Sequence, residues 1–123
     1  MKRPSHKELY NKRREAKMAV SKGLIILLNQ DIIAADAIEL EYTIGTELIP
    51  ILQELLDYTT PDHYAGSWSP QKSYQREIEG LDLFPFVADS SRLKCRAYYK
   101  FALVEGRLWL VSLHQDRLIK EES

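Results

Sequence analysis

Four side chains that could cleave RNA without a metal ion occur in the last third of the sequence. Arg96, Tyr98 and Lys100 alternate along one predicted strand, and His114 belongs to the next. Cleavage by attack of a ribose 2′-hydroxyl needs a base for the hydroxyl proton, an acid for the leaving 5′-oxygen and positive charge beside the phosphate. An imidazole can carry protons near neutral pH, and guanidinium and ammonium groups can hold a phosphate. A phenol can donate a hydrogen bond or stack on a base.

These side chains depend for their positions on a predicted β-hairpin. In residues 93–103 the odd positions suit a protein core and the even positions up to Lys100 are polar, an alternation that is typical of a strand with one buried face. Residues 104–106 suit a three-residue hairpin loop with Gly106 in the left-handed conformation. Residues 107–114 then form the returning strand.

A three-residue loop determines which residues of the two strands lie opposite each other. It pairs Arg96 with His114 and Tyr98 with Ser112, and it puts these side chains with Lys100 on the face that helices leave open. A two-residue loop would shift the pairing by one and move His114 to the opposite face. The predicted register assigns a second set of side chains to the helix-covered face: Tyr99, Phe101, Trp109, Val111 and Leu113.

Helices predicted in the N-terminal half would cover the other face of the sheet. Ser5 and Glu8 have capping-box spacing, so a first helix is expected to begin there. Residues 24–28 form an apolar run that fits either a buried strand or a helical turn. A second helix is expected to end near Gly45, and Thr46 is expected to cap a third.

The predicted fold class is α+β, with N-terminal helices packed on one face of a small C-terminal antiparallel β-sheet, in a single domain over residues 1–123. A chain of 123 residues, 45% of them hydrophobic, has the size and apolar content of one domain. No apolar run approaches the roughly 20 residues of a membrane span, so no membrane partner is expected. The N-terminus lacks a signal-peptide apolar segment, and the single Cys95 can form no internal disulfide. These features favour the cytoplasm.

Charge is distributed unevenly along the chain. The first 23 residues hold eight Lys or Arg and two Glu, whereas residues 24–62 hold eight acids and no Lys or Arg. These blocks either neutralise each other across the surface or form a basic face for a polyanion and a separate acidic face. The net charge of -1 counts against nucleic-acid binding by charge alone. No His or Cys pair has zinc-ligand spacing and no nucleotide-binding glycine motif occurs, so no metal and no cofactor is predicted.

The segment from residue 59 to residue 73, TTPDHYAGSWSPQKS, has neither helical nor strand periodicity. Loops of this length are often functional. It supports an alternative to catalysis, in which the loop and exposed aromatic side chains bind a protein or a small ligand.

Two short segments of the hairpin carry a family resemblance. They are Tyr98-Tyr99-Lys100-Phe101 and Leu110-Val111-Ser112-Leu113-His114. They are similar to a pattern of Tyr-x-Lys-apolar followed by apolar-Val-Ser-aromatic-Lys in the RelE-type toxin superfamily, and within it most to the MqsR-type mRNA interferases. Residues 58–64, which contain Asp62-His63, resemble a further family segment. His114 stands where the family has Lys.

The resemblance implies an endoribonuclease toxin that cleaves mRNA by metal-independent 2′-hydroxyl attack and is regulated by an antitoxin protein. Tyr98 would match the family's active-site Tyr, and Gln71 or Lys72 would supply the contribution of the loop. The expected partners are RNA and the antitoxin, with a homo-oligomer left open. The candidate catalytic residues are His114, Tyr98, Arg96 and Lys100, and the candidate RNA-binding residues are Lys94, Gln71 and Lys72.

Overall fold

The computed structural model describes residues 4–66 and 71–116, and within them helices precede a sheet made mostly of C-terminal strands. The predicted α+β fold class is confirmed. None of the described helices is both long and apolar enough to cross a membrane. The elements in chain order are α1 (His6–Ser21), β1 (Ile25–Leu27), α2 (Gln30–Leu40), α3 (Ile44–Tyr58), β2 (Gln71–Lys72), β3 (Asp82–Ser90), β4 (Cys95–Val104) and β5 (Arg107–Gln115), with short 3-10 helices at Pro61–His63 and Arg76–Ile78.

The first helix begins at the predicted cap. The Glu8 backbone N–H donates to Ser5 Oγ at 3.0 Å, which satisfies one of the amides left unpaired at a helix start. The third helix begins earlier than predicted, with Thr43 instead of Thr46 at the N-cap position and Ile44 as its first residue. The Thr43 backbone N–H donates to the Glu47 carboxylate at 2.6 Å, so a side chain from the first turn reaches back to this helix start.

The second helix ends earlier than predicted, at Leu40 instead of near Gly45. Glu41 follows it with φ 63° and ψ 47°, the left-handed conformation that terminates many helices. The three residues from Glu41 to Thr43 separate α2 from α3. The end of α2 could not be predicted because Glu41, and not a glycine, adopts the left-handed conformation there.

The sheet has the strand order β1-β5-β4-β3-β2. Neighbouring strands are antiparallel except β1 and β5, which are parallel. The apolar run 24–28 therefore contributes an edge strand, and the C-terminal sheet is antiparallel with one parallel strand added from the N-terminal half. Pro85 lies in β3, and among the described residues the outer side of this strand pairs with the two-residue β2 and with Tyr64. A residue without an N–H is tolerated beside so little pairing.

The helices pack on one face of the sheet around a core that includes Leu52, Leu55, Phe86, Tyr99 and Phe101. Arg13 interrupts the apolar stripe of α1 because its guanidinium serves the end of α3. Its Nε donates to the Leu56 carbonyl at 2.7 Å, and a cation at a helix C-terminus is favoured by the helix dipole.

The hairpin turn differs from the predicted one. It has two residues, Glu105 and Gly106, with φ values of 49° and 79°. Two-residue turns whose twist matches that of the strands require a positive φ at both positions. Val104 therefore faces Arg107. The predicted three-residue loop is wrong because Glu105 adopts the left-handed conformation as well as Gly106.

A β-bulge in the middle of the hairpin changes the register a second time. Phe101 faces Leu110, but the preceding residue, Lys100, faces Ser112, so Val111 is the extra residue of β5. Beyond the bulge, Tyr98 faces His114. The predicted pairs of Arg96 with His114 and Tyr98 with Ser112 are therefore wrong.

The bulge nevertheless keeps the predicted face of His114. The short turn alone would move His114 to the helix-covered side, and the extra residue moves it back. The β5 residues between the turn and the bulge carry only the shift of the short turn, so their side chains lie on the faces opposite to those predicted. Trp109 and Val111, expected beneath the helices, instead belong with Ala102 to a second apolar cluster on the other face.

Candidate active site on the open sheet face

The sheet face away from the helices is divided into two halves. Near the hairpin turn lies an apolar half, partly covered by Ile78 of the second 3-10 helix. Further along the strands is a polar half, which we define as Arg96, Tyr98, Lys100, Ser112 and His114. Pairing and strand alternation put these side chains on one face. The apolar half is Ile78, Leu83, Ala102 and Val111, packed with Leu28, Leu81, Val104 and Trp109.

The centre of the polar half is a stack of two rings. The centroids of Tyr98 and His114 are 4.9 Å apart and their planes are inclined by 10°. The residues are directly opposite each other in the ladder, and both side chains are half-buried. The phenol therefore restricts the imidazole to one orientation.

One further contact fixes the protonation pattern of a neutral His114 ring. Nδ1 lies 2.8 Å from the carbonyl oxygen of Gln115. A carbonyl oxygen only accepts, so Nδ1 carries the hydrogen and Nε2 has an unshared electron pair. The ring nitrogen turned from the backbone can accept a proton from a substrate.

The Tyr98 hydroxyl has the complementary chemistry. Burial raises the pKa of this phenol above its usual value, because a low-dielectric environment disfavours the charged form. The phenol therefore stays protonated at neutral pH. It can donate a hydrogen bond and cannot act as a base there.

Arg96 has two carboxylate neighbours, neither of which was among the predicted site residues. Its Nε lies 3.7 Å from Oδ2 of Asp116, and the side chains are 58% and 12% exposed. Asp89 faces Arg96 from β3. Because the guanidinium is so exposed, these carboxylates weaken its attraction for phosphate without removing it. Asp116 follows His114 by two positions, which would have suggested a shared face had the register been known.

Lys100 is the other cation of the polar half. It lies between Pro85 of β3 and Ser112 of β5, two ladder positions from the stacked rings and on the same face, and is half-buried. It forms no ion pair with any other described residue. No carboxylate of residues 4–66 and 71–116 therefore neutralises its ammonium group.

The three candidate RNA-binding residues lie outside the polar half. Lys94 is exposed, has φ 60° and belongs to the turn before β4. Gln71 and Lys72 form β2, where they face Leu83 and Asp82. Lys72 also makes an ion pair with Asp82. The structure thus brings together Arg96, Tyr98, Lys100 and His114, and it places the other three at a turn and at the far edge.

The other two histidines have local structural contacts. Nδ1 of His63 accepts from the Thr60 backbone N–H at 2.8 Å, and Nε2 of His6 lies 3.4 Å from Asp62. Across residues 4–66 and 71–116, no group of three or more His, Cys, Asp or Glu is placed to hold a metal ion. Neither histidine extends the site around His114.

Comparison with known proteins gives no match to a family model, a curated protein or a solved structure. The similarity of the two hairpin segments to RelE-type toxins therefore stays a prediction. Any assignment of function has to rest on the chemistry of the polar half.

Proposed function

We propose that the protein is a RelE/MqsR-like endoribonuclease toxin that cleaves mRNA without a metal ion, with the polar half of the open face as its active site. The observation that carries this proposal is the Tyr98–His114 stack, in which Nδ1 of His114 lies 2.8 Å from the Gln115 carbonyl oxygen, a contact that favours the tautomer with its electron pair on Nε2. A fixed base beside a cation supplies two of the three functions that 2′-hydroxyl attack requires, and water can supply the third, the acid for the leaving oxygen.

In this mechanism Nε2 of His114 takes the proton from the ribose 2′-hydroxyl. The 2′-oxygen attacks the adjacent phosphorus, the bond to the 5′-oxygen breaks, and a 2′,3′-cyclic phosphate forms. The leaving 5′-oxygen takes its proton from water. The Tyr98 hydroxyl, kept protonated by burial, donates a hydrogen bond that orients the scissile ribose.

Positive charge for the phosphate comes chiefly from Lys100, since a carboxylate shares the charge of Arg96. Charge-assisted hydrogen bonds to developing oxyanions supply a large part of such catalysis. Lys94 would extend the path of the RNA past Arg96, and Gln71 and Lys72 would contact it only where it crosses the apolar half. An antitoxin would inhibit the enzyme by covering the polar half, in the cytoplasm where mRNA is found.

The test is cleavage of single-stranded RNA by purified protein in the presence of a chelator. We expect products with 2′,3′-cyclic phosphate ends, and no cleavage where a 2′-deoxynucleotide replaces the nucleotide at the scission site. His114→Ala should remove the activity, and induced expression of the wild type, but not of this variant, should arrest growth. His63→Ala is the matched control, because the hydrogen bonds of that ring to described residues are to Thr60 of its own turn.

The mechanism fails if folded wild-type protein leaves RNA intact, or if His114→Ala cleaves as well as the wild type. A chelator-sensitive activity would also contradict it. Circular dichroism of each variant separates a loss of chemistry from a loss of fold.

A non-catalytic binding module is the second candidate, and two exposed aromatic residues favour it. Tyr58 and Tyr74, at the two ends of the 59–73 segment, are 56% and 89% exposed. Exposed tyrosines are common anchors for protein partners. In that case Tyr58→Ser with Tyr74→Ser would remove partner binding, whereas His114→Ala would leave it unchanged.

A further inference from the structure

We propose that the free edge of β1 binds an extended, positively charged segment of a partner protein, which adds to the sheet beside this strand. The site lies at the opposite side of β5 from β4. The proposal does not depend on the ribonuclease activity.

The backbone of β1 has an unused side. The bonds to β5 involve the Leu24 carbonyl, at 2.9 Å from its donor, and the Leu28 N–H, at 3.0 Å from its acceptor. Successive residues of a strand direct their backbone groups to opposite sides, so Ile25 and Leu27 direct theirs away from the sheet. No strand within the described ranges pairs with that side. Such an edge is a template for a further strand.

A groove of about 510 Å³ lies beside this edge. Trp109, which faces Ile26, is half-buried and forms part of its floor. The carboxylates of Asp31 and Glu77 lie at the groove and are exposed. Its lining residues are Ile26, Leu27, Leu28, Gln30, Asp31, Glu77 and Trp109.

The charge of the groove selects the partner. Neither Asp31 nor Glu77 forms an ion pair with another described residue. No Lys or Arg occurs between residues 24 and 62, and Arg76, although next to Glu77 in the chain, is not among the lining residues. Asp31 lies in the first turn of α2, where the positive end of the helix dipole stabilises its carboxylate.

Two unpaired carboxylates beside an indole ring attract Lys or Arg side chains, through charge and through the ring face. An acidic segment, or the phosphates of RNA, would meet repulsion at the same place. Alternation along an added strand would direct every second side chain to the groove. An extended segment with alternating cationic and apolar residues fits both the edge and the groove.

The probe is a blocked octapeptide of alternating Lys and Val, with the Glu-Val counterpart as a matched control, added to the full chain at low salt. Amide hydrogen exchange followed by NMR should show that the Lys-Val peptide slows exchange at Ile25 and Leu27 by about tenfold or more. The amide of Leu28, already bonded to β5, should change little. The Glu-Val peptide should have no effect.

Charge reversal tests the groove directly. Asp31→Lys with Glu77→Lys should abolish the protection, whereas Glu39→Lys with Glu41→Lys, the same charge change away from the lining residues, should keep it. The proposal is overturned if the Lys-Val peptide gives no protection at Ile25 and Leu27, if both variants lose it equally, or if a uridine oligonucleotide gives the same protection. It is also overturned if the amides of Ile25 and Leu27 are already protected in the free chain and lose that protection when the chain is truncated after Asp116.

Discussion

The carboxylate of Glu54 on α3 accepts a hydrogen bond from the hydroxyl of Ser90 at 2.7 Å. It also accepts from the backbone N–H of Ser91 at 2.8 Å and from that of Arg92 at 3.3 Å. One helix side chain thus satisfies the turn that joins β3 to β4. Because β4 carries three of the four candidate catalytic residues, this contact also anchors the strand beneath them.

Glu54→Ala should therefore destabilise the protein more than an ordinary surface substitution. Loss of hydrogen bonds to a charged acceptor, with donors left unpaired, costs about 1–3 kcal/mol. Urea denaturation measures the free energy of unfolding. Glu39→Ala, on the exposed side of α2, is the control and should change it by less than about 0.5 kcal/mol. Equal effects of the two substitutions would show that the turn does not depend on Glu54.

Two buried tyrosines should respond differently to loss of the hydroxyl. The Tyr99 hydroxyl lies 2.6 Å from Thr59 Oγ1, which itself donates to the Leu55 carbonyl at 2.7 Å. Tyr99 is therefore the donor. The Tyr42 hydroxyl is buried without a hydrogen-bond partner among the described residues. Tyr99→Phe should lower the free energy of unfolding by about 1 kcal/mol, and Tyr42→Phe should leave it unchanged or raise it.

Alkaline pH should destabilise the fold through Tyr42. Burial, with a smaller contribution from the charge of Asp36, raises the pKa of this phenol to about 12. The unfolded chain releases the proton near pH 10, so between about pH 10 and 12 the folded state holds more protons and stability falls as pH rises. Between pH 9 and 12, Tyr42→Phe should lose on the order of 2 kcal/mol less than the wild type. Parallel pH curves for the two proteins would contradict the assignment.

Asp116→Asn should strengthen RNA binding through Arg96. Removal of the carboxylate 3.7 Å from Nε leaves the guanidinium with less competition for phosphate. We expect a lower Kd for single-stranded RNA and a steeper dependence of log Kd on salt. The matched measurement is Arg96→Gln in both backgrounds, which should weaken binding more in Asp116→Asn than in the wild type. Identical effects in the two backgrounds would mean that the pair has no influence on RNA.

Tyr98→Phe should separate the contribution of ring stacking to the cleavage rate from that of the hydroxyl. The aromatic ring still covers His114, but the hydrogen-bond donor is lost. In the proposed mechanism the cleavage rate should fall by about tenfold to a hundredfold, with the fold unchanged by circular dichroism. Tyr98→Ala should lower it further, because the imidazole then loses the ring that restricts it. A rate for Tyr98→Phe equal to that of the wild type would assign the phenol a packing role only.

The parts of the fold with a local signal were predictable. The cap at Ser5 follows from spacing alone, and the alternation in residues 93–103 gave the correct face for Arg96, Tyr98 and Lys100. The apolar run 24–28 has no period, so its pairing with β5 depends on tertiary contacts. No residue type marks the bulge at Val111, so the Tyr98–His114 pair could not be derived. Without that register, Asp116 had no visible relation to Arg96.

Val111 is the one residue of β5 with no partner opposite it in β4. The pairs on either side of it, Phe101 with Leu110 and Lys100 with Ser112, are consecutive along β4. Deletion of Val111 would therefore leave the other pairs of the hairpin in place, with Tyr98 still opposite His114, and would remove the local bend that a bulge adds. Homologous chains that are shorter by this residue should accordingly keep the imidazole on the open face.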